Sequence, residues 1–329
     1  MPNSYTDQIK DNLSPDLGDI LISEFPYEDS ARDDYFPFTD LDGYDAGHTS
    51  LWVDGDRPIA HSVRDGYRLP GVRLTNLFDG RHVLLRPRYT EDKEAFQLAG
   101  TILKTWALST RTIDLTKYEQ IYPEKDWPDR HARDLHNFFT TELARIAAPS
   151  TPYNEERSDK DKFYLARNPS LQNFTGESLR RSIKFSTRRE LTSPNSISKG
   201  QRCTAVVMAA IQAAYLAPIV YSLPDKQSFK MHKNQDPATY IEQYLMPGWD
   251  NTPIGSRLKK ALETNDYSQI FPPAISFDQR YVIPPIFLNG LQQDAEHFET
   301  IGYISNFKDE MSLYNAEFEE ITPDSLTLR

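Results

Sequence analysis

Cysteine is nearly absent from this chain: Cys203 is the single thiol in 329 residues. No disulfide can form within one molecule, which points to a compartment where thiols stay reduced. Glycine is scarce as well, at 14 residues, and neither a Walker A loop nor a G-x-G-x-x-G turn occurs. Cradling a phosphate needs backbone N–H groups brought close by glycine, so a P-loop or Rossmann nucleotide site is not expected. The G-x-S-x-G elbow of hydrolases is missing too. Met1 to Asp7 offers no basic region followed by an apolar one, so no secretory leader is expected. The only long apolar run, Cys203 to Tyr221, is dominated by alanine, contains Gln212 and meets Pro218 near its end. A bilayer span needs about 20 strongly apolar residues, so this run is expected to be a buried helix. The expectation is a cytoplasmic protein with no membrane partner.

Charge is abundant but segregated. Residues 1–56 hold fourteen Asp/Glu against Lys10 and Arg32, a net −12 within a total of −11. From Asp294 to Asp324 there are nine acids and one base, Lys308. Between these acidic ends lies one basic run, Ser178 to Arg202, with Arg180, Arg181, Lys184, Arg188, Arg189, Lys199 and Arg202 opposed only by Glu190. Opposite charges held in separate segments steer encounter and fix register.

The acidic N-terminal stretch is also rich in rings. Eight acids and six aromatics, Phe25, Tyr27, Tyr35, Phe36, Phe38 and Tyr44, lie between Glu24 and Asp45. Pro26 and Pro37 favour extended backbone there. An extended acidic strip studded with rings reads as a docking segment, with rings as anchors and carboxylates as steering. It can pack on its own body or on a neighbour.

Further along, Val72–Phe78, Asp79-Gly80 and Arg81–Arg86 read as a β-hairpin, because Asp-Gly supplies the positive φ angles of a two-residue turn. Leu51-Trp52-Val53 suggests a short strand before it. A helix is expected from Thr90, with Phe96, Ala99, Ile102, Leu103 and Trp106 on one stripe. Others are expected over 126–149, over Thr204 to Ala217, after Asp236-Pro237 and after Thr252-Pro253. Phe271–Ile275 and Val282–Leu288 are apolar but rich in proline, and read as extended segments at sheet edges. The whole predicts an α+β chain: a mainly helical central body, an N-terminal β-hairpin region and Pro-rich extended segments near the C-terminus. It divides into an acidic arm (1–56), a body (57–293, with a possible sub-boundary near 150–165) and an acidic C-terminal segment (294–329).

Sites of chemistry are hard to find by spacing. Ser196/Lys199 and Ser256/Lys259 match S-x-x-K, a pattern too loose to assign a nucleophile. Asp40 to Asp45 resembles a calcium loop, but its glycine comes fourth where the EF-hand requires it sixth. The pairs Asp40/Asp42 and Asp54/Asp56 follow from composition. His131 and His136 are five apart, which splays them on a helix and spoils a zinc pair. His48, His61 and His82 read as isolated, hydrogen-bonded residues. Cys203 reads as a small core residue with Arg202 beside it and no base in view. No catalytic residue, metal or cofactor is assigned.

The function expected from these features is a non-enzymatic interaction or assembly protein. Its acidic ends would dock on the basic segment of another copy or of a protein partner. One alternative is a nucleic-acid-binding accessory protein that uses residues 178–202, with Phe185 stacking on a base. The other is an enzyme whose site is assembled from residues distant in sequence, to be sought in the Asp/His-rich region 40–82.

Overall fold

The computed structural model describes residues 5–24, 46–53, 55, 57–63, 71–111, 173–187, 203–221, 241–279, 282–307 and 310–322. Seven strands among them form one antiparallel sheet: β1 (Ile20–Glu24), β2 (His48–Trp52), β3 (Ile59–Val63), β4 (Gly71–Thr75), β5 (Gly80–Pro87), β6 (Phe298–Phe307) and β7 (Glu310–Tyr314). Their order across the sheet is β4-β3-β2-β1-β5-β6-β7, and the sheet curls into a half-barrel. This corrects the expected mainly helical body, since the sheet is the frame on which the helices pack. Its long-range strand is β6, which pairs with β5 from Gly80↔Asn306 to Pro87↔Phe298. No local pattern announces a pairing across more than 200 residues.

The expected hairpin at Asp79-Gly80 is also corrected. Both strands exist, but β4 pairs with β3 at the sheet edge, while β5 pairs with β1 and β6. Gly80 has a φ of +151°, and a Cβ there would collide with the Glu24 carbonyl oxygen. The glycine therefore serves the close approach of β5 to β1 and does not turn a hairpin. The link from Thr75 to Gly80 explains the curvature. Five residue steps reach about 18 Å at most, while four strand spacings on a flat sheet cover about 19 Å. Only a curled sheet lets so short a link join β4 to β5.

Six helices are described: α1 (Tyr5–Leu13), α2 (Thr90–Arg111), α3 (Gly176–Thr187), α4 (Cys203–Leu216), α5 (Pro253–Thr264) and α6 (Pro284–Gln293). The proline-rich segments are the third correction. Pro284 and Pro285 occupy the first turn of α6, and Pro273 opens a short 3₁₀ turn at Pro273–Ile275. Proline suits a helix start because the N–H it lacks has no intrahelical acceptor there. Thr252 caps α5 as its sequence suggests, accepting the Gly255 N–H at 3.0 Å. The expected helix over 126–149 and the Asp236-Pro237 helix start lie outside the described residues, as does the side chain of Trp106.

Strand alternation sorts the core onto two faces. Ile20, Ile22, Leu51, Val83 and Leu85 pack with α2 and α4, while Leu21, Trp52, Leu84 and Ile304 pack with Ile9 and Leu13 of α1. Every residue of α4 is buried, between α2 and α3 and against β2 and β3. That surrounding contact is why the helix shows no amphipathic stripe. No described helix is long and apolar enough to cross a membrane.

Candidate active site

Three histidines gather at one end of the sheet. Ser23 of β1 is in register with His48 on one side and His82 on the other, so antiparallel pairing sets the three side chains in a row. His61 comes from β3. Its Nδ1 lies 2.7 Å from His48 Nε2, and its Nε2 lies 3.0 Å from Thr75 Oγ1. Phe78, on the link from β4 to β5, has its ring among all three imidazoles, with centroids 5.1–5.7 Å away.

The roles of His82 are settled by its partners. Nε2 lies 3.0 Å from the Phe78 carbonyl and Nδ1 lies 2.8 Å from Ser23 Oγ. A carbonyl can only accept, so Nε2–H donates to it and Nδ1 accepts from the serine. Burial pushes this imidazole down to about 3; the Phe78 carbonyl opposes that shift, and His48 adds to it. His61 is likewise held well below its ordinary value by burial and then by the charge of His48. Both stay neutral near pH 7.

Cys203 joins this group from the far side of the sequence. β2 and β3 pair through Leu51↔Ala60 and Trp52↔Ile59 and part toward His48, where α4 begins. Thr204 Oγ1 lies 2.9 Å from Thr49 Oγ1 and 3.9 Å from Cys203 Sγ. His48 and the Thr49 backbone lie near enough to the thiol to favour its charged form. Burial pushes the thiol up, but the charge of His48, the nearness of His48 and Thr49 and the Thr204 hydroxyl outweigh it. The net effect is a thiol lowered to about 7. A position at a helix N-terminus acts in the same direction. Cys203, His48 and His61 are 1%, 4% and 2% exposed, so little water competes for these contacts.

The contacts run from Cys203 past His48 to His61 and Thr75, an order of residue types that a nucleophile, a base and the groups orienting it require. Sequence reading named the region of His48, His61 and His82 and took Cys203 as a small core residue, as its burial bears out; the nearness of His48 was not foreseen. His48 lies 155 positions away in sequence, and a lone cysteine at the head of an apolar helix is the one local signal that could have pointed to it.

The other expected site residues fall elsewhere. Phe25, Tyr27, Tyr35, Phe36, Phe38 and Tyr44 lie outside the described residues, as do Arg188, Arg189, Lys199 and Arg202 and the side chain of Lys184. Arg180 and Arg181 both pair with Glu177 on α3, and Arg181 also reaches Asp278. The 40–45 loop, Asp54, Asp56, His131, His136, Ser196/Lys199 and the side chain of Phe185 also lie outside what is described. In the second S-x-x-K match, Lys259 bonds the Asp250 carboxylate and Ser256 the Asp250 carbonyl, so the two do not bond each other. Among the described residues no group of His, Cys, Asp and Glu is arranged to hold a metal ion. A cavity of about 740 Å³ at the start of α3, beside Thr175, Glu177, Asp266 and Tyr267, shares no residue with the Cys203 group. Within it the Ser268 hydroxyl donates to Asp266 Oδ1 at 2.6 Å. No protein-family model matches the chain, and no curated protein or solved structure is recognisably similar to it.

Proposed function

We propose that this protein is a cysteine-dependent acyl-transfer enzyme, with Cys203 as nucleophile, His48 as general base and acid, and His61 as the group that orients His48. The observation that carries the reading is the convergence on His48, whose Nε2 lies 2.7 Å from His61 Nδ1 and whose nearness lowers the Cys203 thiol to about 7. With Nε2 engaged by His61, Nδ1 is assigned to the thiol in this reading. To take the thiol proton it must hold a lone pair, so the hydrogen of neutral His48 sits on Nε2 and is donated to His61. The hydrogen of His61 then sits on its own Nε2 and is donated to Thr75.

In the reaction, His48 takes the thiol proton and the thiolate attacks an acyl carbonyl. The C–S bond forms and the carbonyl oxygen takes up the negative charge, which donors beside Cys203 must stabilise. His48 returns its proton to the departing amine or alkoxide as that bond breaks, leaving a thioester on Cys203. Water, activated by His48, or another acceptor then releases the acyl group. The neutral His61 accepts from the imidazolium throughout and stabilises it.

The test uses the full chain, in which Cys203 is the only thiol. Alkylation by iodoacetamide is expected to rise with pH about a midpoint near 7. In His48→Ala the midpoint should move toward the ordinary thiol value of about 8.5. A thiol inert at pH 8, or a midpoint unmoved in His48→Ala, would overturn the reading. An acetyl group on Cys203 after brief exposure to p-nitrophenyl acetate would support the acyl chemistry directly.

Docking of acidic segments on a basic one remains a separate proposal. It rests on the acidic ends, 1–56 and 294–329, and the basic run 178–202, of which Arg180 and Arg181 are engaged by acids of their own chain.

A further inference from the structure

The link from β4 to β5 contributes two groups to the candidate site, Thr75 at its start and Phe78 three residues on. Phe78 is anchored by its backbone: its carbonyl accepts His82 Nε2–H at 3.0 Å and Asn306 Nδ2–H at 3.2 Å. Its ring lies nearly parallel to His61, 8° at 5.7 Å, and nearly perpendicular to His48, 82° at 5.6 Å. Those are the offset-stacked and edge-to-face arrangements that aromatic rings favour. His48 and His61 stand at 87° to one another, so Phe78 touches one imidazole by its face and the other by its edge.

Ring planes matter here because the lone pairs of an imidazole lie in its plane. A rotation of His61 breaks its bond to His48 Nε2 and its bond to Thr75 together. A leucine at position 78 would fill much of the same space without setting either plane.

We propose that Phe78, held through its carbonyl by His82 and Asn306, is the positioning residue of this site: it fixes the planes of His61 and His48, and with them the tautomer that leaves a lone pair facing the thiol. The proposal rests on the reading of Cys203 and His48 as nucleophile and base. It adds a residue that makes and breaks no bond in the reaction.

Long-range ¹H–¹⁵N spectra report which imidazole nitrogen carries hydrogen. In the wild type, His48 and His61 are expected in a single neutral tautomer protonated on Nε2. Phe78→Leu should show averaged or mixed nitrogen shifts, with iodoacetamide alkylation at pH 7 falling about tenfold, the order expected when a catalytic group is slightly misplaced. Phe78→Tyr, which keeps the ring, should restore both. A Phe78→Leu protein with the wild-type tautomers would overturn the proposal. If that variant does not fold, Asn306→Ala decides, because it loosens the anchor and keeps the ring: mixed tautomers support the proposal and unchanged spectra sink it. Failure of the underlying reading looks different. An ordinary thiol midpoint in the wild type would remove Cys203 as the nucleophile, while the comparison of tautomers would still decide the part played by Phe78.

Discussion

Each histidine of the sheet meets a different set of partners, and the partners decide what it does. His82 donates to a carbonyl and accepts from Ser23, so it has no free nitrogen for chemistry. Its folded value of about 3 against an ordinary 6.5 makes it a determinant of acid stability. The unfolded chain takes up a proton near 6.5 and the folded one near 3. This stabilisation is therefore complete above 6.5 and is lost as pH falls through that window. The wild type should be about 2 kcal/mol less stable at pH 5 than at pH 7 from this group alone. Urea denaturation of His82→Gln at both pH values should show that difference reduced by about this amount. Thr75 is a second residue-scale case. Thr75→Val keeps the shape but leaves the buried His61 Nε2–H without an acceptor, which costs about 1–3 kcal/mol. The same spectra and alkylation profile should register the loss at His48. Neither role is legible at positions 61, 75 or 82, because a hydrogen-bond partner is a property of the pairing and not of the residue.

Among the elements, α4 was the most legible. Its alanines require close neighbours on every side, and all fourteen of its residues are buried. Gln212, in the middle of that apolar surface, accepts from Ser182 of α3 at 2.8 Å and donates to the carbonyls of Ile275 and Phe277 at 3.0 and 2.7 Å. Gln212→Leu would leave these groups without their partner inside the core. A loss of about 3 kcal/mol is expected in chemical denaturation. At the sheet, Gly80→Ala tests the corrected hairpin. A β-carbon there meets the Glu24 carbonyl, so β5 must shift from β1 and the thermal midpoint should fall by several degrees. Were residues 79–80 a free two-residue turn, alanine would disturb only the turn. The sequence cue was sound as chemistry, since Asp-Gly does mark a glycine with positive φ. It failed as topology because a crowded strand start makes the same demand as a turn.

At the scale of the whole molecule, residues 25–45 connect two neighbouring strands. β1 ends at Glu24, β2 begins at His48, and Ser23 pairs with His48. The acidic, aromatic strip is thus tied at both ends to the part of the sheet that carries the candidate site. Replacing 25–45 by a short Asn-Gly turn should leave the sheet intact, with the far-UV spectrum and thermal midpoint close to those of the full chain. Light scattering at low and high salt on both proteins then tests the docking proposal. A mass that falls on removal of the strip, and that depends on salt, would support it; an unchanged monomer in both would end it.

Composition and local pattern sufficed for some features: the buried helix at Cys203–Leu216, the helix starts at Thr90 and Thr252, and the segregation of charge. Each depends on neighbours within a few positions, where propensity, capping and hydrophobic period act. Tertiary structure alone decided that strands from both ends of the chain share one sheet, that the sheet curls so that a four-residue link places Phe78 among three histidines, and that the single cysteine meets a histidine 155 positions away. Those outcomes depend on which surfaces can be buried together and which hydrogen-bond groups must then find partners. Only the folded chain has answered that.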